Sequence, residues 1–344
     1  MTLITTRDLT RRRFLALTAS AVALSACGAP KNSESGSENP VAATYFPPSY
    51  EDVFPAMSIM LESAAKEAGL DFKMFDSAKL LDADQLMPGL FQGQADLVFQ
   101  ASSYISSSYP IFGAFELPFI TESVAQTQRA LTVEGPLYEI INKEIGKKGL
   151  RLLGNMPTNY EWLWSIDKPI QKPDDLKGMR IRTGGDLQAQ VVKALGGSPV
   201  SMSSAEVYQA LERGTIDGIM AYVGTIISRD LQGILRYGTM GRFAETSIDP
   251  YVRKDWFDGL DSRTKEGLLV SGQTYLEEGT AAQLRVHNDE YLPQVSDAGV
   301  ELIELDQKDA AVFRQATAGV YDWWKTRVGD PELADRAISL VQNA

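Results

Sequence analysis

Reactive side chains are scarce in this chain: it holds one cysteine, Cys27, and one histidine, His287. Cys27 cannot close a disulfide within the chain. The pair cannot assemble a Cys/His zinc cluster, and any Cys-His or Ser-His-Asp relay would have to recruit His287. His287 stands in the polar stretch Arg285-Val286-His287-Asn288-Asp289, on an expected long helix, where a lone polar residue is expected to face water. The chemistry left over is ionic. Met179-Arg180-Ile181-Arg182-Thr183 reads as a strand with Met179 and Ile181 on one face and Arg180 and Arg182 on the other. Arg182 falls at its carboxyl end, just before the Gly184-Gly185 turn into a new helix, the place where open α/β sheets bind ligands. A guanidinium there offers a carboxylate two coplanar donors, and the helix N-terminus adds backbone amides and a favourable dipole. On these residues alone, an anion site and a surface arginine bridged to a nearby aspartate are equally good readings.

The elements that must carry Arg182 follow from the pattern. From residue 41 onward short β-rich runs alternate with helical stretches, the signature of an α/β fold. Strands are expected at 41–45, 71–75, 96–100, 150–155, 179–183, 199–202, 216–221 and 300–305. Val53, Met57, Met60, Leu61 and Ala64 keep a helical spacing, as do Leu187, Val191, Ala194 and Leu195; both stripes read as core faces. Residues 255–293 are helical in composition and almost free of proline, long enough to brace two lobes. Gly184-Gly185 is too little for a dinucleotide fingerprint, since the third glycine and the acidic residue of that motif are not in place.

A chain of 344 residues with 44% apolar side chains suffices for two domains, each with its own core. Its 45 acidic and 33 basic residues leave a net charge of −12, which argues against a nucleic-acid partner. That field also repels anions, so an anionic ligand must be held by a few local cations.

The first 27 residues read as an address and an anchor. Thr10-Arg11-Arg12-Arg13-Phe14-Leu15 precedes an apolar run to Ala26, the build of an export signal that is too short to span a bilayer. The arginine pair followed by Phe-Leu resembles the twin-arginine signal, and Leu24-Ser25-Ala26-Cys27 resembles the lipobox, in which the cysteine receives a diacylglycerol. Residues 1–26 are expected to be removed, Cys27 to be lipidated, and 27–40 to serve as a flexible tether. The rest is expected to be a soluble domain held by lipid on the outer side of the cell membrane, in the periplasm or at the cell surface.

Three longer stretches carry a resemblance. They are Gly178-Met179-Arg180-Ile181-Arg182, then Lys193-Ala194-Leu195-Gly196-Gly197-Ser198-Pro199-Val200, then Glu206-Val207-Tyr208-Gln209-Ala210-Leu211-Glu212-Arg213-Gly214-Thr215-Ile216-Asp217-Gly218. With Phe115-Glu116-Leu117-Pro118-Phe119 and Ala298-Gly299-Val300-Glu301, their order and spacing resemble the solute-binding subunits of tripartite ATP-independent periplasmic (TRAP) transporters, the DctP family, over roughly residues 41 to 340. The resemblance implies a two-lobed periplasmic-binding-protein-like fold with a ligand cleft between α/β lobes. The first lobe is then expected from 41–158 plus 248–287, and the second from 159–247 plus 288–344. It implies a monomer without cofactor or metal that captures a small organic acid and hands it to the small and large membrane subunits of a permease. Arg182 would clamp the ligand carboxylate.

Two departures from the family pattern narrow the ligand. No arginine stands in Tyr160-Glu161-Trp162-Leu163-Trp164, and Ile219-Met220-Ala221-Tyr222 replaces a more polar run. Both changes argue against a sugar acid such as sialic acid and favour a flat ligand such as a keto acid, with Tyr222 and Trp162 stacking on it. Gln100, Ser102 and Tyr104, after the 96–100 strand, are candidate contacts from the first lobe. Glu206 and Asp217, a tempting acid-base pair, are better explained by helix and turn capping, which leaves no catalytic residue. The competing readings are a binding protein that reports to a sensory receptor and an extracytoplasmic enzyme acting on organic acids.

Overall fold

The computed structural model describes residues 39–344. The expected leader, Cys27 and the tether up to residue 38 lie outside the described residues. Twelve strands are found among those residues: β1 (Val41–Thr44), β2 (Lys73–Phe75), β3 (Leu97–Ala101), β4 (Leu150–Leu152), β5 (Met156–Pro157), β6 (Glu161–Ser165), β7 (Arg180–Thr183), β8 (Ser198–Ser201), β9 (Gly218–Ala221), β10 (Tyr237–Ala244), β11 (Ser247–Arg253) and β12 (Glu301–Glu304). They form two sheets. One runs β2-β1-β3-β11-β4 with β5 on β11, and the other β12-β10-β6-β9-β7-β8. All eight strands expected from the sequence are present, most with trimmed ends and those at 96–100 and 199–202 shifted by one residue. Each sheet is mixed: β1 lies parallel to β2 and β3, and β7 parallel to β8 and β9, whereas β11 and β6 run antiparallel to their neighbours.

The chain first crosses from sheet to sheet between β5 and β6, and crosses back between β10 and β11. The two crossings touch. Thr158 N–H donates to the Thr246 carbonyl at 2.8 Å, and the Thr158 hydroxyl reaches the same oxygen at 3.1 Å, which makes a paired hinge.

A third connection is one continuous helical rod through 262–297, α-helical except for π turns at Tyr275–Gly279 and His287–Tyr291. At about 1.5 Å per residue it spans roughly 50 Å. Asp261 caps it by accepting from the Thr264 N–H at 3.0 Å. Its first half lies on the first lobe, so close that a Cβ on Gly272 would meet the Leu153 carbonyl oxygen at 1.9 Å. Its second half sends Val286, Tyr291 and Val295 into a second-lobe core with Trp162, Trp164 and Ile219. The rod therefore braces both lobes, as its length suggests.

The last helix departs from the expected grouping of 288–344 with the second lobe, whereas Gln307–Thr317 and Gly319–Val328 contact the second-lobe helix Asp186–Ala194. Helix Pro331–Gln342 packs on the first-lobe helices Gly113–Glu116, Val124–Ala130 and Pro136–Gly146. Its buried stripe of Ala334, Ala337 and Val341 joins a core that residues of both lobes share, where Trp324 also lies with its indole N–H on the Pro110 carbonyl at 2.7 Å. Small side chains at helical spacing allow that close approach. His287 is likewise buried, at 5% exposure, with its ring edge-on to Trp162 and centroids 6.1 Å apart. It continues the buried face of Leu276, Thr280 and Gln283, and burial lowers its pKa to about 4.

Candidate functional site

The site lies where carboxyl ends of strands from the two sheets meet. β1 ends before Tyr45, β3 before Ser103 and Tyr104, β7 delivers Arg182, and β9 ends before Tyr222. These residues, with Glu161, Gln188, Ser204 and Thr246, enclose a cavity of about 30 Å³. Two open grooves flank it. One, of about 590 Å³, runs along Ala83, Met87, Gln100, Tyr104 and Met202; the other, of about 490 Å³, runs along Tyr45, Asp82, Glu206 and Arg229. A water needs roughly 10–15 Å³ of such space, so the cavity as it stands is about the size of two waters.

Arg182 is 4% exposed. Its Nε donates to the Met202 carbonyl at 3.0 Å and its Nη2 to the Tyr104 hydroxyl at 3.0 Å. No acceptor among the described residues takes Nη1, and no carboxylate there pairs with the guanidinium. Arg180 is its opposite. Half exposed on the same strand, it holds Asp217 through Nε at 3.0 Å and Nη2 at 2.7 Å, so the surface-arginine reading belongs to Arg180 and not to Arg182. Asp217 is thereby an ion-pair partner as well as a cap for the Arg180 N–H at 2.7 Å. Glu206 is the cap expected, accepting from the Ser203 N–H at 3.0 Å in a capping box.

Closure is held by contacts between the lobes. Tyr104, from the first lobe, accepts from Arg182 and from the Ser204 N–H at 2.8 Å, and its ring stacks on Tyr45 with centroids 5.5 Å apart. Gly185, which opens the helix Asp186–Ala194, lies so near the first lobe that a Cβ would meet the Ser103 carbonyl oxygen at 2.0 Å. The Gly184-Gly185 pair is therefore a lobe contact.

Of the expected site residues, Arg182, Tyr104 and Tyr222 come together in the cavity. Tyr222 is buried, with its hydroxyl near the Asp52 carboxyl. Gln100 reaches only the outer groove, its amide donating to the Ala83 carbonyl at 2.6 Å. Ser102 lies behind the cavity, bonded to Glu116 at 2.5 Å and Thr246 at 3.0 Å. Trp162 does not line it at all: its ring stacks on Trp164 in the second-lobe core. The strand alternation that turns Trp162 inward turns Glu161 toward the cavity.

Glu161 was not singled out by the sequence. Burial raises its carboxyl to about 7, against the pull of Arg182 and the Tyr222 backbone N–H. Tyr45 was missed too, although it ends a strand as Arg182 does. Arg229 lies in the outer groove, its guanidinium 5.2 Å from the Tyr50 ring centroid.

A family model described as bacterial extracellular solute-binding protein, family 7 (DctP) matches residues 49–327. Among curated relatives, the 2,3-diketo-L-gulonate-binding periplasmic protein YiaO of Escherichia coli (strain K12) is 26% identical over 243 residues, 70% of this chain and 73% of the relative. Among solved structures, a TRAP periplasmic solute-binding protein from Roseobacter denitrificans with bound β-D-glucuronate superposes with a TM-score of 0.78 at 24% identity, over 89% of this chain and 99% of that one. A Bordetella pertussis extracytoplasmic solute receptor binding pyroglutamic acid gives 0.78 at 19% identity, over the same shares.

Proposed function

The chain belongs to the bacterial extracellular solute-binding proteins of family 7, the DctP family, and from that premise we propose that it captures a small organic acid in the interlobe cleft for a TRAP-type permease. One observation carries the reading. Arg182 is a buried guanidinium with one nitrogen unclaimed, at the carboxyl end of a strand and facing a cavity that the lobes close. A buried cation without a counter-ion is costly, and a ligand carboxylate supplies one. The acids named for the E. coli relative and the two solved structures accord with this.

The lobes turn about the paired crossings at Thr158 and Thr246, exchanging an open form that admits ligand for a closed form that holds it. In this reading the first lobe is 41–158 plus 248–287 and the second 159–247 plus the remaining segment, with the last helix riding on the first. The Leu24-Ser25-Ala26-Cys27 sequence supports a lipid anchor on Cys27, and the arginines before the apolar run support twin-arginine export. No helix among the described residues is long and apolar enough to cross a membrane. The protein then works as a tethered monomer that delivers its ligand, unchanged, to the small and large membrane subunits.

A thermal-shift screen of small carboxylic acids tests the reading. A ligand at about 100 times its dissociation constant adds about 2.7 kcal/mol, a rise of a few degrees. An acid that shifts Tm and is recovered unchanged is the expected result; conversion of the acid to a product contradicts it.

A further inference from the structure

The cavity is lined by two ionisable side chains, one a base and one an acid. Arg182 and Glu161 both line it, each 4% exposed, and neither is paired with a counter-ion among the described residues. They stand on β7 and β6, two strand spacings or about 10 Å apart with β9 between them, and leave the sheet on opposite faces, so they reach the cavity at its end from two sides. Apart from the Tyr222 backbone N–H, no donor among the described residues serves the Glu161 carboxyl. Tyr45, Tyr104 and Tyr222 supply rings around the same space.

We propose, on the solute-binding reading above, that the ligand is a zwitterion: a small carboxylic acid that also carries a protonated nitrogen, its carboxylate on Arg182 and its cation on Glu161. Charge balance decides among the classes of acid. A zwitterion closes the cavity at net zero, each buried charge gaining a partner. A monocarboxylate satisfies Arg182 and leaves Glu161 as a buried acid facing an apolar ligand. A dicarboxylate places a second negative charge against Glu161, which like-charge repulsion penalises. The tyrosine rings suit a cation, whose attraction to an aromatic face is strongest where water is excluded. The chain's net charge of −12 repels free anions and leaves a neutral zwitterion unhindered on approach.

Matched probes test this by calorimetry on the exported protein: 4-aminobutyrate against butyrate and succinate, and L-proline against cyclopentanecarboxylate. At least one nitrogen-bearing acid is expected to bind about tenfold or more tighter than its nitrogen-free match, and Glu161→Gln to reverse that order. The wild-type comparison needs no variant, so a misfolded Glu161→Gln protein leaves the test standing. Succinate, butyrate or cyclopentanecarboxylate binding as tightly as its nitrogen-bearing match overturns this inference and leaves the organic-acid reading intact. A wild-type protein that binds none of the five overturns the inference, and only a failed screen of carboxylic acids at large overturns both.

Discussion

Tyr104 and Arg182 join the two lobes: the hydroxyl carried by the first accepts from Nη2 carried by the second at 3.0 Å. The same oxygen takes the Ser204 N–H at 2.8 Å, so one phenol occupies two donors of the opposite lobe. On the proposed reading, the arginine that takes the ligand carboxylate is also one that ties the lobes together, so ligand binding and closure would be coupled at the same side chain.

Tyr104→Phe keeps the ring stacked on Tyr45 and removes both acceptor contacts. A hydrogen bond to a charged donor contributes about 1.5–3 kcal/mol, so the closed form should lose roughly ten- to a hundredfold in population. Solution scattering of the ligand-free variant should show a larger radius of gyration than the wild type. An unchanged profile contradicts the role given to Tyr104.

Gly185→Ala tests the contact from the other side. The backbone at Gly185 is extended, at φ −161°, so alanine is tolerated locally, but its Cβ collides with the Ser103 carbonyl when the lobes shut. The variant should fold with wild-type circular dichroism, bind ligand weakly, and fail to compact in scattering at saturating ligand. Full compaction would show that the two segments do not meet in the liganded form.

Much of the fold was legible, and the limits have physical causes. The eight strands read from the pattern are short β-rich runs, and all but β4 have at least one parallel neighbour. The missed ones pair antiparallel with partners distant in sequence: β10 holds two glycines, and β11 contains Pro250, which local rules exclude from a strand interior. At the site, strand-end position alone left Arg182 balanced between an anion site and a surface ion pair; the structure gives the surface pair to Arg180 and places Arg182 in the cavity. Choosing between Glu161 and Trp162 required knowing which face of β6 looks into the cleft, and periodicity gives only that they differ. His287 was misplaced because its face of the rod is buried yet polar, with Thr280 and Gln283 beside it, so polarity gave no sign of burial.

Several buried carboxyls give the molecule an unusual pH dependence. Burial raises Glu116 to about 8, Asp249 and Glu161 to about 7, and Asp52 to about 6. Each binds its proton more tightly folded than unfolded, so its stabilising contribution is complete below the ordinary carboxylate range and is lost as pH rises through these values. His287, lowered to about 4, acts oppositely and costs stability as pH falls from about 6.5 toward 4. Tm should therefore peak on the acid side of neutrality and fall by several degrees toward pH 8. Glu116→Gln should flatten that fall. A Tm that rises steadily from about pH 5 to pH 8 contradicts the assignment.

The central claim is that Arg182 holds the ligand's carboxylate in the closed cleft, and calorimetry on the wild type, Arg182→Ala, Arg182→Lys and Arg180→Ala with one tight-binding acid tests it most directly. Removing one partner of a buried charge pair costs about 3–5 kcal/mol, a few hundredfold or more in affinity. Arg182→Ala should therefore bind beyond detection for a micromolar ligand, with the fold verified by circular dichroism. Arg182→Lys should recover little, since an ammonium lacks the planar fork. Arg180→Ala, which loses only an exposed pair with Asp217, should bind within a few-fold of the wild type. An Arg182→Ala protein that binds within about threefold of the wild type, a difference of about 0.7 kcal/mol, would contradict the account.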